Sequence, residues 1–160
     1  AHHGIPDAQE SRGLGDVYKR QKYERAIKLM ENRLMDIHEK KFKELIWVLE
    51  HNDIYTAGTS YKENEILDKS IKILKTNRGG KITYHGPGQR VAYVMLDLNK
   101  RERDVRSFVE FLERWIIATL QEFNIEGEIR PDRVGVWIRR KDKEKGADGN
   151  FLEEKIAAID

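Results

Sequence analysis

The residues best suited to chemistry lie between Arg78 and Gln89, in the run Arg-Gly-Gly-Lys-Ile-Thr-Tyr-His-Gly-Pro-Gly-Gln. Four of these twelve residues are glycine, which lets the backbone approach a ligand closely or adopt a positive φ. Arg78 can bind a carboxylate or a phosphate through its planar fork, and His85 precedes a stiff turn. These residue types indicate a small-ligand site or, equally, a glycine-rich hairpin with a surface arginine. The glycine spacing is neither that of a P-loop nor that of a dinucleotide-binding site, so it does not indicate a nucleotide-binding loop.

A second candidate for chemistry is Lys155, which is followed by Ile156-Ala157-Ala158-Ile159. A lysine among apolar residues can be partly removed from water, which suits it to proton transfer near neutral pH. On residue type alone, the simpler interpretation is a solvated lysine on a strand.

Two amphipathic helices are predicted around these candidates. One begins at Lys22, and the other follows Asp104, a candidate N-cap. The predicted apolar faces consist of Tyr23, Ala26, Ile27, Met30, Leu34 and Ile37 in the first helix and of Val105, Phe108, Val109, Leu112, Trp115, Ile116, Thr119, Leu120 and Phe123 in the second.

Short apolar runs bounded by glycine and polar residues predict the strands. The run 45–49 is typical of a strand covered on both faces and is interrupted by His51-Asn52-Asp53, while the run 91–96 predicts a central buried strand. The other predicted strands are 54–56, 71–75, 82–84, 134–138 and one that begins at Lys155, after a charged loop over 139–150. The order helix, strands, helix, strands predicts a mixed α/β fold with helices packed on the sheet.

The two ends of the chain differ from its middle. Residues 1–20 have no helical or strand period, and 15–21 resemble translated cloning sequence, so we expect a foreign or disordered leader before a domain at 21–160. His2 and His3 fit a tag remnant better than a metal site. The last predicted strand stops in mid-pattern, so we expect a chain that is truncated within its sheet.

Composition limits the classes of function. The 30 basic and 28 acidic side chains nearly cancel, so no net field favours nucleic acid or an anionic membrane. No apolar run approaches the ~20 residues that span a bilayer, and no secretion signal is visible, so we expect a cytoplasmic protein. The chain has no cysteine, which excludes disulfides, cysteine-based zinc sites and a thiol nucleophile within these 160 residues.

The run from Arg78 to Gln89 closely resembles the signature of the lipoyl(octanoyl) transferases, in the lipoate/biotin protein ligase superfamily. The family order is kept from about Lys22 to Ile159. Further matches are Glu50-His51-x-x-Ile54-Tyr55-Thr56-x-Gly58-x-Ser60, then Tyr93 with Leu96-Asp97-Leu98, then Gly135-Val136-Trp137, and finally Lys155-Ile156-Ala157-Ala158-Ile159. The resemblance implies the catalytic domain of this superfamily, incomplete at the C-terminus, because the family's cysteine lies beyond Lys155.

The resemblance implies an acyltransferase of lipoate biosynthesis that needs no metal and no cofactor. The family takes an octanoyl group from octanoyl-acyl carrier protein onto a cysteine as a thioester. It then passes the group to a lysine of a lipoyl domain, in 2-oxoacid dehydrogenases or in the glycine-cleavage H protein. Without the cysteine, we expect this chain itself to be inactive.

Individual roles are also implied by the resemblance. Lys155 matches the lysine that lowers the pKa of the nucleophilic cysteine, and a nearby ammonium does favour a thiolate. The implied substrate-binding residues are Arg78, Gly79, Gly80, Lys81, Ile82, Thr83, Tyr84 and His85 on one wall of the acyl site and Ala158, Ile159 and Asp160 on another. We expect His85 and Lys155 to border one cavity with apolar walls.

Two positions depart from the family pattern, and two alternatives stay open. Asp160 stands where the family has glycine, and a carboxylate there would crowd the acyl site. The link 141–150 is longer and more charged than is usual.

One alternative function is that of an ATP-dependent lipoate or biotin protein ligase, which the string from Tyr84 to Gln89 disfavours. The other is a non-catalytic module that binds acyl carrier protein or lipoyl domains.

Overall fold

The computed structural model describes residues 20–101 and 103–160. The chain divides into two compact units, with the division between Lys100 and Arg101. The expected leader lies outside the described residues except for Arg20, which belongs to a short strand. Neither described helix is long and apolar enough to cross a membrane.

The described part of the first unit, residues 20–100, contains one α-helix and two three-stranded sheets. Its elements are β1 (Arg20–Gln21), α1 (Tyr23–His38), β2 (Leu45–His51), β3 (Ile54–Ala57), β4 (Ile73–Lys75), β5 (Ile82–His85) and β6 (Val91–Met95), with 3₁₀ turns at Glu63–Glu65 and Leu98–Lys100. The sheet orders are β1-β2-β6 and β4-β3-β5, and each sheet has one parallel and one antiparallel pair. The prediction of a mixed sheet is therefore confirmed.

Helix α1 buries a narrower apolar stripe than its sequence period predicts. Tyr23, Ala26 and Ile37 are buried, but Leu34 is 40% exposed. Arg33 is buried instead, and its guanidinium lies 4.9 Å from the centre of the Phe42 ring. The long arginine stem can cover apolar surface while its charged end rests on an aromatic face, which a hydrophobic count does not anticipate.

Strands β2 and β6 pair over five residues and supply the buried side chains Leu49 and Met95. Three predictions about these strands were wrong. Among the described residues β6 lies at the end of its sheet and β2 lies in the middle. Ile46 is 46% exposed, so β2 is not covered on both faces. His51 does not interrupt the strand but ends it, and its side chain is fully buried.

The second unit consists of helix α2 (Val105–Gln121) and the antiparallel strands β7 (Glu128–Arg130), β8 (Arg133–Arg139) and β9 (Glu153–Ala157), in that order in the sheet. Strand β7 escaped prediction because it has three residues, two of them charged. The helix face against β8 includes Ile117 and Leu120, whose side chains approach Gly127 together with the buried Val136. The predicted face was too broad, because Val105, Trp115 and Phe123 are exposed.

Charged side chains of the link between β8 and β9 form ion pairs with one another and with β9. Arg140 contacts Asp142 at 2.7 Å and Glu154 at 2.5 Å, and Lys143 contacts Glu154 at 2.6 Å. Strand β9 begins at Glu153, two residues before the predicted start at Lys155. The charged link was therefore predicted correctly, while the start of the strand was not.

Asp104 is confirmed as the N-cap of α2. Its carboxylate accepts hydrogen bonds from the backbone N–H groups of Arg106 at 2.9 Å and Ser107 at 3.3 Å. The hydroxyl of Ser107 and then these N–H groups hold the pKa of Asp104 below its usual value. Because the folded pKa is lowered, the stability from this cap is present above the unfolded pKa and is lost as the pH falls through the folded one.

We expect Asp104→Ala to lower the melting temperature by about 2–4 °C near neutral pH, because two N–H groups lose their acceptor. Asp104→Asn keeps a side-chain acceptor and should retain most of the stability, while losing its dependence on acid. Thermal melts of both variants from neutral to acidic pH provide the measurement. Equal losses in the two variants near neutral pH would contradict the capping role.

Candidate active site

The glycine loop, defined as residues 78–81, is held against the residues that follow β3. Backbone hydrogen bonds run from Gly58 N–H to the Lys81 carbonyl at 3.1 Å, from Thr59 N–H to that of Arg78 at 2.9 Å, and from Ser60 N–H to that of Gly80 at 3.0 Å. Strand β5, which follows the loop, pairs antiparallel with β3. The loop is thus fixed along its length by backbone bonds.

Two glycines are required for this approach, and a third is not. A Cβ on Gly58 would overlap the carbonyl oxygen of Gly79 and lie 2.5 Å from that of Gly80. Gly80 has φ of 78°, in the left-handed region that favours glycine. Gly79 has open space at its Cβ position. One side of the glycine loop is therefore packed on backbone, and Gly79 leaves a gap in its surface.

The fork of Arg78 binds the protein itself. Its guanidinium donates to the Thr56 hydroxyl at 2.9 Å, to the Thr56 carbonyl at 3.1 Å, to the Gly79 carbonyl at 2.7 Å and to the Lys81 carbonyl at 2.9 Å. Thr56 is fully buried. Hydrogen bonds of a charged donor to buried acceptors are among the stronger ones. In this structure Arg78 therefore holds the glycine loop on β3, rather than presenting its fork to an anion.

A chain of side-chain contacts continues from Thr56 to His85 and Gln89. The Thr56 hydroxyl lies 3.4 Å from His85 Nε2, and His85 Nδ1 lies 2.9 Å from Gln89 Oε1. Gln89 donates from Nε2 to the Tyr84 carbonyl at 3.1 Å, which fixes its amide orientation. An amide oxygen can only accept, so Nδ1 of a neutral His85 carries the proton and Nε2 faces the hydroxyl.

Behind His85 lies a cluster of rings that sequence analysis did not identify as part of the site. Tyr23 and His51 are buried. The centre of the His85 ring lies 5.5 Å from the centre of the Tyr23 ring and 5.8 Å from that of the His51 ring. His51 Nε2 lies 2.8 Å from the Tyr93 hydroxyl. Burial, and next the neighbouring Tyr23, raise the pKa of Tyr93 above its usual range. The polar residue His51 at the end of an apolar run was the available signal.

Other residues of the predicted wall point to different partners. Lys81 is exposed and forms an ion pair with Glu65, which lowers the pKa of that carboxyl. Tyr84 donates to Asp53, and this hydrogen bond raises the pKa of the phenol. Ile82 and Thr83 are half-buried on β5. The eight residues from Arg78 to His85 thus form one continuous segment, in which the side chains of Lys81 and Tyr84 are bonded to Glu65 and Asp53.

Lys155 lies on β9 of the second unit, opposite Trp137 of β8. Its side chain is exposed among the described residues. The ammonium lies 4.8 Å from the centre of the Trp137 ring, and the guanidinium carbon of Arg133 lies 4.2 Å from the same ring. Both cations are placed by the electron-rich indole, an attraction of about 0.5–1 kcal/mol at exposed sites.

The strand pairing is irregular just beside Lys155. Val136 pairs with Ala157 and Trp137 pairs with Lys155, so Ile156 is an extra residue. Gly135 has φ of 116°. The remaining predicted site residues, Ala158, Ile159 and Asp160, follow the end of β9. A β-bulge of this kind re-aims the side chains on either side of it.

The predicted site residues thus fall into two groups, one in each compact unit. Arg78 to His85 belong to the first unit, and Lys155 and 158–160 belong to the second. A shared cavity for His85 and Lys155 stays a prediction. A cavity of about 720 Å³ along the charged link, lined by Lys143, Phe151 and their neighbours, includes none of the predicted site residues.

Comparisons with known proteins agree with the resemblance seen in the sequence. The lipoyl protein ligase A/B catalytic domain matches residues 22–159. An octanoyltransferase of Parvibaculum lavamentivorans is 58% identical over 138 residues, which are 86% of this chain and 59% of the relative. Octanoyltransferases of Brucella melitensis and Paracoccus denitrificans are 55% and 54% identical over 86% of the chain, and the chain covers 52% and 63% of them. The chain therefore spans between about half and two thirds of the length of these relatives.

Proposed function

Because the chain belongs to the lipoyl protein ligase A/B catalytic-domain family, we propose that it carries much of the acyl site of a cytoplasmic octanoyltransferase. The proposed donor is octanoyl-acyl carrier protein. The proposed acceptor is a lysine of a lipoyl domain, in 2-oxoacid dehydrogenases or in the glycine-cleavage H protein. The observation that carries the proposal is the family match over 22–159, because this segment includes both the glycine loop and Lys155.

In the proposed reaction a cysteine thiolate attacks the thioester carbonyl of the donor, and the carrier thiol leaves. The lysine amine of the lipoyl domain then attacks the new thioester, and the cysteine thiol is released as the amide forms. Lys155 would stabilise the thiolate and exchange protons with it. The sequence has no cysteine, so in this proposal the thiol comes from outside these 160 residues.

The chain's own residues supply the wall and the lysine in this scheme. The glycine loop, held by Arg78 and by three backbone bonds, would line the acyl chain without rearranging when it binds. Such a wall would raise the rate of transfer because it holds the donor in a fixed position. The proposal also assigns residues 158–160 to the acyl site, as the family resemblance implies, and it includes Asp160 despite its charge.

Transfer is favoured over ATP-dependent ligation by the string from Tyr84 to Gln89, which resembles the transferase signature. The relatives described above are octanoyltransferases, which supports the same choice.

We expect the 160-residue chain to show no octanoyl adduct and no transfer when it is incubated with octanoyl-acyl carrier protein and a lipoyl domain, because it has no thiol. A serine hydroxyl is hardly ionised near neutral pH and needs an adjacent base. Intact mass spectrometry of all three proteins provides the measurement.

A hybrid chain is the matched positive control for this experiment. In the hybrid, residues 22–159 replace the aligned segment of the Parvibaculum relative, whose remaining sequence is expected to supply the cysteine. The hybrid should gain one octanoyl group and modify the lipoyl domain. Turnover by the cysteine-free chain would contradict the thioester mechanism, and an inactive but folded hybrid would contradict the assignment of this segment to octanoyl transfer.

A further inference from the structure

The described residues of the second unit include a buried carboxylate that the proposed reaction does not use. Glu113 is the residue of α2 that is buried, with 3% of its surface exposed. Its Oε1 accepts the backbone N–H of Gly135 at 2.9 Å. Burying a carboxylate is costly unless hydrogen bonds offset the loss of water. The hydrogen bond from Gly135 offsets part of this cost, and in return it fixes the backbone of Gly135 against the helix.

Gly135 needs this acceptor because the sheet does not provide a regular one. The pairing of β7 with β8 shifts between Ile129 and Arg130, and the pairing of β8 with β9 shifts beside Val136. Neither register includes Gly135 among its partners. The N–H of Gly135 thus points to the helix rather than into a ladder, and Glu113 fixes it there.

The conformation of Gly135 in turn sets the path of the Lys155 side chain. A Cβ at Gly135 would lie 2.6 Å from the Ala157 carbonyl oxygen and 3.3 Å and 3.4 Å from Cε and Cδ of Lys155. The lysine stem therefore lies across Gly135, in space that any other residue would fill. Its ammonium is carried from there to the Trp137 ring, 4.8 Å away.

We propose that Glu113 is a positioning residue for Lys155, acting through its hydrogen bond to Gly135. The carboxylate holds Gly135 in its left-handed conformation. Because Gly135 has no side chain, the stem of Lys155 can pass beside it and bring the ammonium to the Trp137 ring. The importance of that position for catalysis rests on the octanoyl transfer proposed above. The position itself does not, and it can be measured without any turnover.

The test is an NMR experiment on the 160-residue chain labelled with ¹³C-lysine and ¹⁵N. The ring current of Trp137 should displace the Cε protons of Lys155 upfield from those of the other lysines, with Lys155→Arg identifying the signal and Trp137→Leu abolishing the displacement. Glu113→Met keeps the side-chain volume but removes the acceptor, and it should lose most of the displacement. Glu113→Gln keeps an acceptor oxygen and should retain it.

Amide hydrogen exchange separates positioning from general destabilisation. Glu113→Met should speed exchange at Gly135 by about tenfold or more, as expected for a lost hydrogen bond to a charged group, while the paired amides of β7 and β8 change little. The proposal is overturned if Glu113→Met leaves the Lys155 displacement unchanged, if Glu113→Gln loses as much as Glu113→Met, or if the unsubstituted chain shows no displacement. Any of these results leaves octanoyl transfer itself standing, because the readout involves no acyl group.

Discussion

Lys155→Ala is expected to slow formation of the octanoyl thioester by at least ~100-fold, the lower range for the loss of one positioned proton-transfer group. The lysine lies on β9 with its ammonium over Trp137, and it is the cation that the family resemblance assigns to the thiol. Removing it would leave the cysteine mostly protonated near neutral pH. The measurement is the rate of adduct formation by quenched-flow and intact mass spectrometry, in the hybrid that supplies the cysteine.

Two control variants make this result specific. Lys69→Ala removes an exposed lysine that is not among the predicted site residues and should leave the rate unchanged. Lys155→Arg keeps the positive charge but exchanges protons poorly, so it should recover little of the rate. The melting temperature of Lys155→Ala should change only slightly, because the side chain is exposed. A normal rate of adduct formation in Lys155→Ala would remove this lysine from the mechanism.

Gly58→Ala is expected to destabilise the chain by about 2–3 kcal/mol, in the range of overpacked sites. The added methyl would overlap the carbonyl oxygen of Gly79 and lie 2.8 Å from the carbonyl carbon of the same residue. These atoms belong to backbone that three hydrogen bonds hold in place, so they cannot turn aside as a flexible side chain would. Urea unfolding at constant m-value provides the measurement.

Gly79→Ala is the matched control, because it adds the same methyl group to the glycine loop where the Cβ meets open space. We expect its free energy of unfolding to stay within about 0.5 kcal/mol of that of the unsubstituted chain. If both alanine variants were equally stable, the close approach of Gly58 to the glycine loop would not exist in solution.

The periodic parts of the fold could be predicted, because helix and strand periods follow from local geometry. Helix α1, the N-cap Asp104 and strand β8 were all predicted from spacing or residue type. Which side of an element is covered depends on its neighbours, and there the sequence was insufficient. It gave no sign that Arg33 would be buried and Leu34 exposed, or that β6 would end its sheet.

The sequence indicated the segment 78–89 as a candidate site, but it did not indicate the side-chain contacts that hold this segment in place. The glycines and Arg78 indicated either a ligand-binding loop or a glycine-rich hairpin, because both use the conformational freedom of glycine. The partners that hold the loop are remote in sequence: Thr56 lies 22 residues from Arg78, and Tyr93 lies 42 residues from His51. No local pattern encodes such pairs. The buried Glu113 was likewise hidden, because a glutamate on a helix is usually solvated.

The contacts of the glycine loop with the residues after β3 have a consequence for grafting and recombination. The twelve residues from Arg78 to Gln89 read as a self-contained motif, yet residues 56–60 provide the hydroxyl and the three N–H groups that shape its first part. Transplanted alone onto another scaffold, the motif would leave Arg78 without its two acceptors on Thr56. A crossover point between residues 60 and 78 would separate the two halves in the same way. Residues 56–60 and 78–89 therefore have to be exchanged together. A chimera that takes both segments from one parent preserves the contacts of the glycine loop.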